Sequence, residues 1–286
     1  MPPFHLHPEV GLLVAVLAGA YEWALRRVGP DHVGPGEPVA TTRQRVAYFL
    51  GVATIAVAAE WPVHDLAERF LFSVHMFQHL LLSLVTPGLM LVGAPPWLLR
   101  LLLRPRAVHA VARQVTRPFV ALILFNAVIV ITHWPAFVDL TLRSELFHFG
   151  AHAVLFLSAL CMWWPVVSPL PEMPSLSYPA RMVYLFLQSI VPTVPASFLT
   201  FGSTALYPRY ATFSRIWGID VLTDQRIAGL MMKILGGAIL WGVMAVIFFR
   251  WFNQEQATEG WDALAWHRTE REISADLSRP RQTAGR

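Results

Sequence analysis

Apolar side chains fall in seven blocks along the chain, at about residues 8–26, 45–63, 72–94, 118–134, 147–166, 180–202 and 226–250. Shorter stretches carrying Arg, Pro, Asp and Glu separate them. Blocks of roughly 17–25 such residues match the hydrocarbon thickness of a bilayer when coiled as helices. The pattern predicts an all-α fold: a polytopic membrane helix bundle of seven transmembrane helices. Residues 1–252 would form this one domain. From 253 to 286 the apolar pattern gives way to mixed charges with Ser, Thr and Gly, which predicts a cytoplasmic tail, partly disordered. A short helix around Trp261 to Trp266 would lie on the membrane surface.

The connections set an orientation. Arg26, Arg27, Arg43 and Arg45 lie in the first connection, and Arg100, Arg104, Arg106, Arg113 and Arg117 in the third. Further Arg follow Arg250 in the tail. The second, fourth and sixth are poorer in Arg or balanced by Asp65, Glu68, Asp139, Glu145, Asp220 and Asp224. Excess Arg marks the cytoplasmic side, so the N-terminus is expected outside and the C-terminus inside. The fifth connection, Pro169 to Pro179, fits least well, with Glu172 alone before Arg181. No Arg or Lys precedes the first block, so it reads as a retained span rather than a cleaved signal. Trp23, Trp61, Trp97, Trp134, Trp163, Trp164 and Trp251 sit near block ends, as interfacial anchors do.

Composition supports the bilayer. Of 286 residues, 55% are hydrophobic and 14% charged, and mean hydropathy is +0.49, against about 25% charged in soluble domains. The net charge of +4 comes from basic residues spread between apolar blocks, which argues against nucleic acid as a partner. The one cysteine, Cys161, excludes an internal disulfide and any paired-thiolate metal clip. A metal site would have to be built from His, Met and carboxylates.

Histidine supplies the candidate chemistry. His75 and His79 stand four apart at the start of the third block, and His148 and His152 repeat that spacing at the start of the fifth. Four residues are about one helical turn, so each pair shares a face. His133 closes the fourth block. The topology puts all five at one depth near the outer surface, an arrangement suited to Cu, Zn, Fe or Ni. Ionisable groups inside spans are costly and tend to mark function. Singly, each is also readable as a polar helix-end residue. His64, just outside the second block, is open between ligand, supporting neighbour and loop residue. His5 and His7 precede the first block, and His32, His109 and His267 fall on the other side; these five are left out.

The seventh block adds Asp224 at its start, as a ligand or a support for an imidazole. Met231 and Met232 lie two turns in, where a thioether would suit Cu(I) or simply pack. Lys233 at that depth would snorkel or pair with Glu22 or Glu60. Pro87, Pro192 and Pro195 should kink the third and sixth spans, opening a lateral docking face or only serving packing. No HExxH, phosphate-cradling Gly loop or GxSxG elbow is present, and nothing nominates a catalytic nucleophile.

The segments HMFQHLLLSLVTPGLMLVGAP, THWP, LFHFGAH, WWPVVSP and LTDQRIAGLMM resemble the CtaG family of cytochrome c oxidase assembly factors, seven-span proteins associated with caa-type oxidases in bacteria. The likeness runs from Asp65 to Gly237, and the HMxQH and DQxxAG segments carry it in combination. The single-span copper chaperones that share the name use a Cys site this chain lacks. The resemblance implies a multi-pass protein of the bacterial inner membrane that helps form the copper centre of the oxidase catalytic subunit. It also implies a copper donor protein on the outer side. His75, His79, His133, His148 and His152 match the family's His positions, with Asp224 from the DQ motif; Lys233 replaces a more usual apolar or aromatic residue. Copper would be held as Cu(I), with Met232 as a further ligand, in a ring with more His than one ion needs. Neither the residues nor the resemblance fixes the oligomeric state.

Three rival readings use the same cluster: a haem-binding electron carrier, a metal transporter, and a membrane metalloenzyme. Haem ligation calls for His on opposite sides of a macrocycle rather than i, i+4 pairs. Transport calls for polar groups across the bilayer, yet Leu80 to Leu91 and Ala153 to Met162 are almost bare of ligands.

Overall fold

The computed structural model describes residues 4–277, with side chains along the last helix to Ala257 and again at Arg271. It is all-helical, with no strand among the described residues. Helix α1 (Pro8–Trp23) runs on through π and 3-10 turns to His32. Next come α2 (Thr42–Ala59), short α3 (Val63–Arg69) and α4, which spans Phe72–Gly93. Short α5 (Pro96–Leu102) and α6 (Arg106–Val115) lead to α7 (Pro118–Thr132), α8 (Pro135–Thr141) and α9 (Glu145–Val167). Helix α10 spans Tyr178–Phe201 and α11 is Val221–Leu277.

Five helices are long and apolar enough to cross a membrane: Pro8–His32, α4, α9, α10 and α11 to Ala257. Two bent pairs pass the same test jointly, α2 with α3 at 43° and α6 with α7 at 80°, giving up to seven. The chain is a multi-pass membrane protein. The spans read from sequence at 45–63 and 118–134 coincide with α2 and α7, each of which passes the length and composition test only together with a bent neighbour, α3 beyond the break at Glu60–Pro62 and α6 ahead of Pro118. Helix α7 has 15 residues, roughly 22 Å of rise, short of a 30 Å hydrocarbon core by itself.

Proline acts where expected in α4 and α10. Residues Leu81–Val85 of α4 form a π turn just before Pro87. Pro87 has no N–H for the carbonyl of Ser83; the indole N–H of Trp163 donates to that carbonyl instead, at 3.2 Å. Helix α10 breaks after Ile190, with Pro192 at the break. Helix α11 continues past residue 253, through Trp261 to Trp266, to Leu277; residues 278–286 of the expected tail lie outside the described residues.

The main core is a stack of α4, α7, α9, α10 and α11 side chains around Leu155, Ala159, Met162, Trp163 and Leu185. A second cluster joins Phe72 and Met76 of α4 to Tyr207, Tyr210, Ala228 and Met232. The first holds the helices together; the second locks the α4 start against α11.

Candidate metal centre

Helix α4 begins at Phe72 behind Leu71, which has no side chain able to cap it. The cap comes from α11: Asp224 Oδ2 accepts from the Phe72 N–H at 2.8 Å and Oδ1 from the Ser73 N–H at 3.0 Å. A carboxylate there satisfies two orphan donors and complements the helix dipole. Arg215 Nη1 lies 3.8 Å from the fully buried Asp224, while its Nη2 donates to the carbonyls of Phe70 and Tyr210. Gln225 Oε1 accepts from Leu206 N–H at 2.8 Å, and Tyr207 donates its hydroxyl to the His133 carbonyl at 2.8 Å. Burial, with the Asp224 charge beside it, holds the Tyr210 phenol well above its ordinary value, so it stays a donor, to the carbonyl of Ala67. Asp224 of the DQ segment thus sets where the first turn of α4 sits, and Gln225 holds the backbone of Leu206 and Tyr207 beside it.

That turn carries His75 and His79, and α9, started by the Ser144 hydroxyl accepting from Phe147 N–H, carries His148 and His152. His133 caps the end of α7. The structure gathers all five rings. His75 lies 4.3 Å from His79, 5.3 Å from His148 and 5.8 Å from His152 between centroids, and His133 is 6.1 Å from His79. All are buried except His152, which is half-buried. Donor atoms of His75, His148 and His152 lie within 4.8 Å of one another.

The polar atoms decide what the cluster can do. His152 Nε2 is 3.1 Å from His79 Nε2 and 3.0 Å from His148 Nε2. His148 Nδ1 is 2.8 Å from the Glu68 carboxylate and His133 Nδ1 is 2.7 Å from the Ile129 carbonyl. Carboxylate and carbonyl only accept, so both Nδ1 atoms carry the proton and both Nε2 atoms offer a lone pair. His133 Nε2, His75 Nδ1 and His79 Nδ1 are buried with no hydrogen-bond partner among the described residues. A single N–H on His152 can serve only one of its two neighbours. Metal–imidazole bonds of about 2.0–2.1 Å place tetrahedral nitrogens roughly 3.3 Å apart; His152 Nε2 stands near that spacing from one nitrogen each of His79 and His148, and the set of donors that all converge, within 4.8 Å, is His75, His148 and His152. The residues fit a metal ion bound by neutral imidazole.

A cavity of about 630 Å³ opens between α4, α7, α10 and α11, and His79, His133, Met76, Met232 and Lys233 line part of it. Met232 therefore faces the same space as two of the five His, whereas Met231 packs against the main core. Asp224 is elsewhere: both its oxygens are taken by backbone N–H groups, so it holds α4 rather than a metal or an imidazole. Lys233 pairs with neither Glu22 nor Glu60; its Nζ lies 4.5 Å from the Phe201 ring centroid. Sequence reasoning passed over Glu68, Met76 and Tyr207. The signal for Glu68 was present, since His64 and Glu68 are one turn apart and their side chains meet at 3.3 Å.

The chain is 26% identical over 275 residues to an uncharacterised protein of Mycobacterium bovis and, at the same identity, to one of Mycobacterium tuberculosis. The match takes in 86% of this chain but 38% of each relative, so the chain spans well under half the length of the curated relatives it matches. No solved structure matches it. The family model described as cytochrome c oxidase caa3 assembly factor matches residues 19–254, a stretch that holds all five clustered His and the DQ segment. On that match, the chain belongs to the cytochrome c oxidase caa3 assembly factor family.

Proposed function

We propose that the protein binds copper as Cu(I) in the His75, His79, His133, His148 and His152 ring and passes it to the catalytic subunit of a cytochrome c oxidase. Copper is cargo here, and the role is non-catalytic. The observation that supports the reading is the convergence of donor atoms of His75, His148 and His152 within 4.8 Å of one another, with His79 Nε2 3.1 Å from His152 Nε2 and the other nitrogen of His148 tied to Glu68. Neutral nitrogen donors with thioethers nearby suit a soft monovalent ion. More imidazoles than one ion needs allow ligands to be exchanged one at a time. The cavity reaching His79, His133 and Met232 from between the helices is the side from which a recipient would collect the ion. In this reading the chain crosses the bacterial inner membrane seven times, with the N-terminus and His ring outside and the tail from 253 in the cytoplasm. A donor protein supplies copper from the outer side.

Rings packed at centroid distances of 4.3 to 5.8 Å leave no slot for a macrocycle between them, which disfavours the haem reading. The test is metal content and X-ray absorption on detergent-purified protein loaded with Cu(I), for wild type and a His75→Ala, His148→Ala double variant. Copper bound through several nitrogens in the wild type and lost in the variant is the expected result. A wild type that takes up no copper under reducing conditions, or that carries haem or zinc instead, overturns the proposal.

A further inference from the structure

Segment 4–7, ahead of α1, packs on short helix α3. It precedes the residues matched by the family model, so nothing in that match accounts for it. Asp65 of α3 is buried, with 1% of its side chain exposed, and imidazoles of this segment face both of its oxygens. His5 Nδ1 is 3.6 Å from Oδ1 and His7 Nε2 is 3.1 Å from Oδ2. The His7 ring meets the His64 ring edge-on at 4.6 Å. His64 Nε2 is 3.3 Å from Glu68 Oε1, the same oxygen that lies 2.8 Å from His148 Nδ1. Imidazoles therefore follow one another from the surface to the ring: side-chain exposure is 44% at His5, 15% at His7, 23% at His64 and 6% at His148.

We propose that His5 and His7, braced on Asp65, form a copper-capture arm that loads the buried ring by way of His64. This rests on the reading of the ring as a Cu(I) site. Two imidazoles two residues apart on the segment ahead of α1 suit the low coordination number of a cuprous ion, and His64 lies one ring contact further in. These groups stand as successive pairs, unlike the His75, His148 and His152 set whose donors converge within 4.8 Å. Pairs suit transit; a converged set suits storage. Glu68 lies between, holding His64 on one side and His148 on the other. The ion stays cuprous throughout and no electron moves. Both His7 nitrogens face carboxylates, Nε2 that of Asp65 and Nδ1 that of Glu9, so His7 gives up one proton to water when it takes the ion and regains one when the ion passes on; an imidazole that binds through an unprotonated nitrogen releases none.

The test uses the full chain in detergent and Cu(I) buffered by a chromogenic chelator, following both the loading rate and the final copper in the ring by X-ray absorption. In a His5→Gln, His7→Gln double variant with an unchanged unfolding temperature, loading should slow about tenfold or more while the ring fills with the same nitrogen coordination. A His64→Gln variant should slow it likewise. Loading at the wild-type rate with a normally filled ring means that the segment is a structural latch, and overturns the arm while leaving the ring reading standing. Loss of ring copper at equilibrium in the His5→Gln, His7→Gln protein places the arm inside the storage site and overturns transit. If the wild-type ring takes up no Cu(I), both readings fall.

Discussion

Helix α9 buries ring nitrogens at both of its ends and treats them differently. Near its C-terminal end the Trp163 indole donates to the carbonyl of Ser83 and Trp164 to that of Met173, each at 3.2 Å. Around them Trp97 donates to Val39, Tyr21 to Gly93 and Tyr184 to Met162, all to backbone carbonyls. At the other end, His75, His79 and His133 each keep a buried nitrogen without a partner among the described residues. Unpaired buried polar atoms are expensive, so native proteins keep few of them. The Trp end is finished as a structure, whereas the His end keeps nitrogens that the proposed Cu(I) ion would occupy. Their concentration at one end marks it as the place where function is bought at the expense of stability.

Removing the Asp224 cap should have the largest effect, because it breaks the scaffold of the His end rather than its ligands. Asp224→Ala leaves the N–H groups of Phe72 and Ser73 without their charged acceptor, and should cost roughly 3 kcal/mol. Thermal unfolding in detergent should show this, together with weakened Cu(I) affinity as His75 and His79 lose their register. An unchanged unfolding temperature would mean that the first turn of α4 is held by something else.

Gly93→Ala sharpens the contrast from the Trp end. An added Cβ would sit 2.4 Å from the Tyr48 backbone nitrogen and 2.7 Å from its Cα, and backbone cannot swing aside. The expected loss is about 1–3 kcal/mol, with Cu(I) affinity of the folded protein unchanged, since the His ring lies at the opposite end of α4. A matching loss of affinity would show that the two ends are coupled.

Glu68→Ala acts on the imidazoles rather than the scaffold, freeing both His148 and His64. It removes the acceptor that fixes the proton on His148 Nδ1 and should weaken Cu(I) binding 10- to 100-fold with little change in unfolding temperature. Glu68→Gln, which keeps an acceptor oxygen, should recover much of the loss. Equal affinities in a chelator competition for all three proteins would remove Glu68 from the site.

The two ends also differed in how far sequence could read them. The His75/His79 and His148/His152 pairs were visible because helical spacing is local and five imidazoles are rare in apolar blocks. The capping by Asp224 was illegible for the opposite reason: its partners are 151 and 152 residues away, and a carboxylate at a span end looks the same whether it binds a metal or a helix N-terminus. The bends after α2 and before α7 were hidden because apolar content continues across Pro62 and polar content does not distinguish a loop from the amphipathic α6. His5 and His7 were discounted for their position in the chain, since nothing local reveals that α3 lies beneath them.

The smallest expected effect belongs to the Trp end and concerns pH. Arg100 of α5 donates to both oxygens of Glu172, at 2.7 and 3.3 Å, tying the segment between α9 and α10 to α5. That contact holds the Glu172 carboxyl below its ordinary value. A carboxyl depressed in the folded state contributes stability that is present above its unfolded pKa of 4.5 and is lost as pH falls through the lower folded value. Both side chains are open to solvent, which limits the contribution to about a few tenths of a kcal/mol. The difference in unfolding temperature between wild type and Glu172→Gln should therefore be small at neutral pH, shrink below pH 4.5 and weaken with added salt. Cu(I) loading of the ring should be the same in both proteins at every pH tested. If Glu172→Gln altered loading, the Trp end would be part of the copper path, and the division of labour along α9 would have to be abandoned.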